Sequence, residues 1–216
     1  MTEQVPRRAV QWRFILAVVG LTAIWLAMLL WGRGALDRTV YEALYAGRRP
    51  VLLAVARFFT ALGEPSVLIA ACVGCALWLW HAGRGRLGLV LLSIALIGRG
   101  LSEVQKYWIA RARPDLEAHL VVVKTNSFPS GHAASSMIFY LALALALTAH
   151  LRSHRIVAAG AVILSLLIGT SRVMLGVHWP SDVIGGWSFG MLWVLLTLRP
   201  AERLFRANSE MRRTGL

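Results

Sequence analysis

Apolar residues gather in six long runs along the chain, at positions 14–31, 66–80, 87–108, 133–151, 156–174 and 183–198, separated by polar and basic segments. Runs near the ~20 residues needed to cross a bilayer predict transmembrane helices. The pattern therefore predicts an all-α fold, an integral membrane bundle of six transmembrane helices. The run at 66–80 is short for ~30 Å of hydrocarbon, so its helix is expected to extend on one side or to meet a thinner bilayer. Between the first and second runs, positions 32–65 are too many for a tight connection. The stretch PVLLAVARFFTALGEP there, with Pro50 at its start, Arg57 in its middle and Gly63 near its end, predicts a short interfacial helix; its apolar content also suits a re-entrant piece.

Composition agrees with the pattern. Of 216 residues, 57% are apolar, and the mean hydropathy of +0.63 is that of a membrane protein. The length suits a single membrane domain over residues 1–216, with a basic cytoplasmic tail at 199–216 too short to form a soluble domain. The first run follows Arg7, Arg8 and Arg13 as a signal peptide would, but it ends in Trp31-Gly32-Arg33 without a small-x-small cleavage site, so a retained helix is expected.

A net charge of +13 would suggest nucleic acid in a soluble protein. In a membrane protein, arginines in short connections set topology and meet anionic head groups, so no nucleic-acid partner is expected. Arg84, Arg86, Arg152, Arg155 and the arginines of both ends favour cytoplasmic termini, although the opposite face is nearly as basic. Cys72 and Cys75 lie in a Cys-x-x-Cys spacing inside an apolar run, where a thiolate is disfavoured; packing is the expected role.

Charged groups near the ends of membrane helices are costly unless they pair or line a wet cavity. Three such clusters stand out: KYWIARARPD at the end of the third run, PSGH before the fourth, and SRVMLGVHWPSD between the fifth and sixth. Six alternating spans bring all three to one membrane face. There Lys106, Arg113 and Arg172 offer three positive charges to an anion, with the two guanidiniums suited to a bidentate grip on phosphate. Ser130 and Gly131 lead into a helix N-terminus whose N–H groups point toward the same oxygens. His178 precedes Asp182 by four residues, a spacing that lets the carboxylate hold one ring nitrogen and leave the other as a nucleophile. His132 is then placed to protonate the leaving oxygen and later to deprotonate water. Three cations and a helix terminus could replace the metal that many phosphatases use, so no metal and no cofactor are expected.

These residues resemble the type 2 phosphatidic acid phosphatases, membrane lipid phosphatases that share their site with vanadium-dependent haloperoxidases. The family's motifs Lys-x6-Arg-Pro, Pro-Ser-Gly-His and Ser-Arg-x5-His-x3-Asp read here as Lys106 with Arg113-Pro114, Pro129-Ser130-Gly131-His132, and Ser171-Arg172 with His178 and Asp182. The motif-bearing region covers about residues 99–198. The resemblance implies that Lys106, Arg113, Ser130, Gly131, His132 and Arg172 bind phosphate, that His178 is the nucleophile, that Asp182 orients it and that His132 is the acid. It implies a bacterial cytoplasmic membrane protein with its site outside, acting on a polyprenyl diphosphate, phosphatidylglycerol phosphate or phosphatidate. The alternatives are a non-enzymatic lipid-phosphate binder or transporter, which would not need both histidines, and a vanadate-dependent peroxidase, which is expected to be soluble.

Other polar residues have plainer readings. Arg111 is expected to anchor head groups, Arg99 and Glu103 to pair with each other, and Trp108 and Trp179 to belong to an interfacial belt. His81, His150 and His154 are expected at the opposite interface. His119 and Lys124 fit either a solvated loop or substrate contact, and Glu64 and Arg57 are conjectured to close the site.

Overall fold

A computed structural model describes residues 7–148 and 151–214, with side chains described for residues 11–148 and 151–198; the expectations for His150 and the tail side chains fall outside these. The described residues form eight helices: α1 (Arg7–Trp31), α2 (Ala35–Leu44), α3 (Pro50–Leu62), α4 (Pro65–His81), α5 (Gly85–Ile109), α6 (Gly131–Thr148), α7 (His154–Met174) and α8 (Pro180–Thr214). Five of them, α1, α5, α6, α7 and the apolar part of α8, are long and apolar enough to cross a membrane. A sixth crossing arises if α3 and α4, bent by 42° at a short break, make one span. The single interfacial helix expected between the first two runs is thus two helices, and the second of them, α3, leads into the short α4. Pro50 and Pro65 stand in the first turns of α3 and α4, where a missing N–H costs nothing.

Helix α6 is the hub, packed against α4, α5, α7 and α8, while α1 leans on α8 and α3 on α7. The largest core cluster is built from Leu79, Leu91, Ile94, Met137, Ile138, Leu141 and Val194. Gly186 and Gly190, four apart on α8, let α6 approach closely. A Cβ on Gly186 would lie 2.7 Å from the Ser130 carbonyl, and one on Gly190 would lie 2.8 Å from the Ala134 carbonyl. Small residues at this spacing bring membrane helices to near backbone contact. Here the contact sets the start of α6 beside the start of α8, where the Ser130 N–H donates to the Asp182 carbonyl at 2.9 Å.

The end of α5, the start of α6 and the turn from α7 into α8 meet at one end of the bundle. Helix α2, which the apolar pattern does not predict, covers this end. Tyr41 on α2 donates to the Gly176 carbonyl at 3.3 Å. Asp37 accepts from the Ser181 N–H at 2.9 Å and from the Ser181 hydroxyl, capping the first turn of α8. Cys72 is buried and neither cysteine is disulfide-bonded; Cys72 packs with Leu68 and Phe139.

Candidate active site

At this end lies a cavity of about 340 Å³ whose wall includes Lys106, Arg113, Arg172, His132, His178 and Glu64. Lys106 stands in the last turn of α5, and its ammonium donates to the Asn126 carbonyl at 2.9 Å. Arg113 follows α5 and is clamped by the Thr125 carbonyl at 2.7 Å and by the Val177 carbonyl. Arg172, near the end of α7, donates from Nη1 to the Thr60 hydroxyl at 2.6 Å. Among the described residues its buried Nε has no hydrogen-bond partner, and neither has the buried Ser130 hydroxyl. Gly131 opens α6 beside Lys106 and Glu103.

His178 is 2% exposed and sits in the turn between α7 and α8. Its Nε2 lies 3.2 Å from Arg113 Nη1. A guanidinium only donates, so Nε2 is the acceptor and the ring proton is on Nδ1. Burial first, and then the charges of Lys106, Arg113 and Arg172, hold this imidazole well below its ordinary pKa. These charges and the burial favour the neutral ring, whose Nε2 lone pair is turned toward the Arg113 guanidinium.

Nδ1 does not meet Asp182 directly. The nearest carboxylate oxygen, Oδ2, is 3.5 Å away, too far for a good hydrogen bond, whereas the Ser127 hydroxyl is 3.3 Å from Nδ1 and donates to that same Oδ2. Ser127 thus stands between the ring and the carboxylate that the i, i+4 spacing pairs. Asp182 also accepts from the Trp179 N–H at 2.9 Å and from Arg111 Nη1 at 2.9 Å.

Arg111 is likewise not a head-group anchor. It is 6% exposed, lies over the Phe128 ring at 4.3 Å, and donates from Nη2 to the carbonyls of Met28 and Leu29 at 2.9 and 2.7 Å. Those carbonyls are in the last turn of α1, where the helix itself supplies no donor. One guanidinium therefore closes a helix end and compensates a buried carboxylate. Trp179 is 5% exposed and donates to the Ala112 carbonyl, so it belongs to the site's frame and not to a belt; Trp108, 78% exposed, stays at the surface.

Arg99 and Glu103 pair at 3.7 Å. His119 turns back to donate to the Pro114 carbonyl at 2.8 Å, while Lys124 lines the cavity. Glu64 reaches His132, its Oε2 lying 3.3 Å from Nε2, whereas Arg57 is exposed and does not line the cavity. Sequence reasoning missed Ser127 and Thr60. Ser127 carried a signal, a hydroxyl three residues before Ser130 in the same turn, but Thr60 lies in an apolar helix with nothing to distinguish it.

The model of the PAP2 superfamily matches residues 85–206. Phosphatidylglycerophosphatase B of Bacillus subtilis is 34% identical over 174 residues, covering 79% of this chain and 85% of that protein. Decaprenylphosphoryl-5-phosphoribose phosphatase of Mycobacterium tuberculosis is 35% identical over 147 residues, covering 66% of this chain and 76% of that one. A crystal structure of a transmembrane PAP2 type phosphatidylglycerolphosphate phosphatase from Bacillus subtilis superposes with a TM-score of 0.80 at 32% identity, covering 87% of this chain and 97% of that chain.

Proposed function

The chain belongs to the PAP2 superfamily, and from that premise we propose that it is an integral-membrane lipid phosphatase working through a phosphohistidine on His178. The observation that carries this reading is the contact of His178 Nε2 with Arg113, which leaves a neutral, unprotonated nitrogen among Lys106, Arg113 and Arg172.

The phosphate of the substrate binds the three cations, the Ser130 hydroxyl and the N-terminal N–H groups of α6. His178 Nε2 attacks phosphorus, and the bond to the leaving oxygen breaks. His132 gives that oxygen its proton. The imidazolium-like charge that develops on His178 is relayed through Nδ1–H and the Ser127 hydroxyl to Asp182, which Arg111 contacts on its other oxygen. Water then attacks the phosphohistidine, His132 takes the water's proton, and the P–N bond breaks to restore neutral His178 and free phosphate. The cavity's donor set is ammonium and guanidinium, which does the charge stabilisation that a metal does elsewhere.

The substrate is a lipid. Pro65 and Arg99 on the cavity wall also border a small, mostly apolar cleft lined by Leu68, Ile69, Leu96 and Phe139 between α4, α5 and α6, so apolar surface adjoins the polar cavity. Phosphatidylglycerol phosphate is the first choice, because the Bacillus subtilis relative named for that activity covers most of both chains; a polyprenyl phosphate or diphosphate is the second. The protein sits in a bacterial cytoplasmic membrane with its termini inside and the site on the outer face. Phosphate release from a panel of lipid phosphates, with His178→Ala as the blank, tests the assignment. Release from no lipid phosphate overturns it.

A further inference from the structure

The break between α3 and α4 lies outside the matched family region, yet it is pressed against the start of α6. The Tyr140 hydroxyl on α6 donates to the Leu62 carbonyl at 2.9 Å. Gly63 is so close to Ile168 and His132 that a Cβ there would overlap the Ile168 side chain and lie 3.2 Å from His132 Cδ2. Thr60, one turn earlier, holds Arg172. With the break fixed in this way, the next residue, Glu64, places Oε2 3.3 Å from His132 Nε2.

His132 shares its cavity with several cations. Arg99 and Lys106 come from α5, Arg113 and Lys124 from the segment before α6, and Arg172 from α7, and His178 lines the same cavity. The positive charges among them disfavour a protonated ring. Two carboxylates line the same cavity, Glu64 and Glu103, and Glu103 is engaged by Arg99. Glu64 is the carboxylate in contact with His132. A carboxylate accepts only, so the contact requires a proton on Nε2.

We propose that Glu64 is a positioning residue that keeps His132 in its protonated form, so that the ring is charged with a proton when the lipid leaves. The inference rests on the reading of His132 as the general acid. It assigns a catalytic contribution to the break between α3 and α4. The side chain of Glu64 is 52% exposed to the open cavity, so its effect grows once a bound lipid phosphate displaces water from the cavity and lowers the local dielectric.

The test compares two leaving groups in single turnovers: a long-chain alkyl phosphate, whose alcohol needs a proton to depart, and p-nitrophenyl phosphate, whose phenolate does not. Glu64→Gln is expected to slow alcohol release ~10-fold or more, within the ~10²–10⁴-fold that a positioned acid contributes, and to leave p-nitrophenol release within about 2-fold. Losing the carboxylate makes His132 give up its proton at lower pH, so the alkaline limb of alcohol release moves to lower pH; Glu64→Asp restores part of the shift. Equal slowing of both leaving groups, or no slowing of either, overturns the proposal. His132→Ala separates the two claims. If His132→Ala discriminates between the leaving groups and Glu64→Gln does not, the role of Glu64 alone fails; if His132→Ala does not discriminate, the acid assignment itself fails.

Discussion

Arg111 donates to Asp182 across 2.9 Å with both side chains almost wholly buried, and the same guanidinium closes the last turn of α1. Removing one partner of such a pair leaves an uncompensated charge in a medium that cannot solvate it. Arg111→Leu is expected to cost about 3–5 kcal/mol of stability and to abolish phosphate release. Arg111→Lys keeps the charge but not the fork that reaches Asp182 and two carbonyls at once, so it should fold and retain only partial activity. Thermal unfolding in detergent, read beside phosphate release, checks both.

Ser127 stands between His178 and Asp182, so Ser127→Ala opens the link without removing a phosphate contact. A misdirected imidazole predicts a fall in kcat of ~10- to 100-fold with KM little changed. Steady-state kinetics decide the matter, because a purely structural loss would lower the active fraction and leave the kcat of the remaining enzyme as it was.

The depressed pKa of His178 has a definite sign. In the proposed mechanism only the neutral ring attacks, and protonation at low pH removes it. Because burial and the three cations push the pKa down, the acid limb of kcat/KM that belongs to this group lies below the ordinary imidazole range. A pH profile measured with two substrates of different phosphate acidity identifies it as the limb that does not move with the substrate. A limb at or above the ordinary value would contradict the neutral, crowded site.

Much of this architecture was legible in the chain. The apolar runs locate the long helices, and the alternation of spans brings Lys106, Arg113, His132, Arg172, His178 and Asp182 to one end. Contacts between distant segments were not legible. Arg111 looks like a head-group anchor because nothing local shows that the end of α1 and Asp182 flank it. Trp179 looks like a belt residue until the Ala112 carbonyl takes its N–H. Helix α2 has a polar sequence with one buried tyrosine and one buried aspartate, too few apolar positions to register as a membrane element. The break after α3 hides in a run whose apolar character suggests only membrane contact, although Thr60 and Glu64 reach into the site.

Gly190 permits the close crossing of α6 and α8, so Gly190→Val should force the helices apart. Overpacking of this kind costs about 1–3 kcal/mol, and the displacement also moves Asp182 away from Ser130. A lowered Tm accompanied by loss of activity is expected, whereas Gly160→Ala, with open space around its Cβ position, should change neither.

The central claim is that phosphate passes through His178. Purified protein mixed with a lipid phosphate labelled in its terminal phosphate, quenched in base within a turnover and digested, should yield one labelled peptide. That peptide should carry an acid-labile, base-stable phosphate on His178, and it should be missing from His178→Ala. Full turnover with no labelled histidine at any quench time, or label that persists in His178→Ala, would contradict the covalent mechanism.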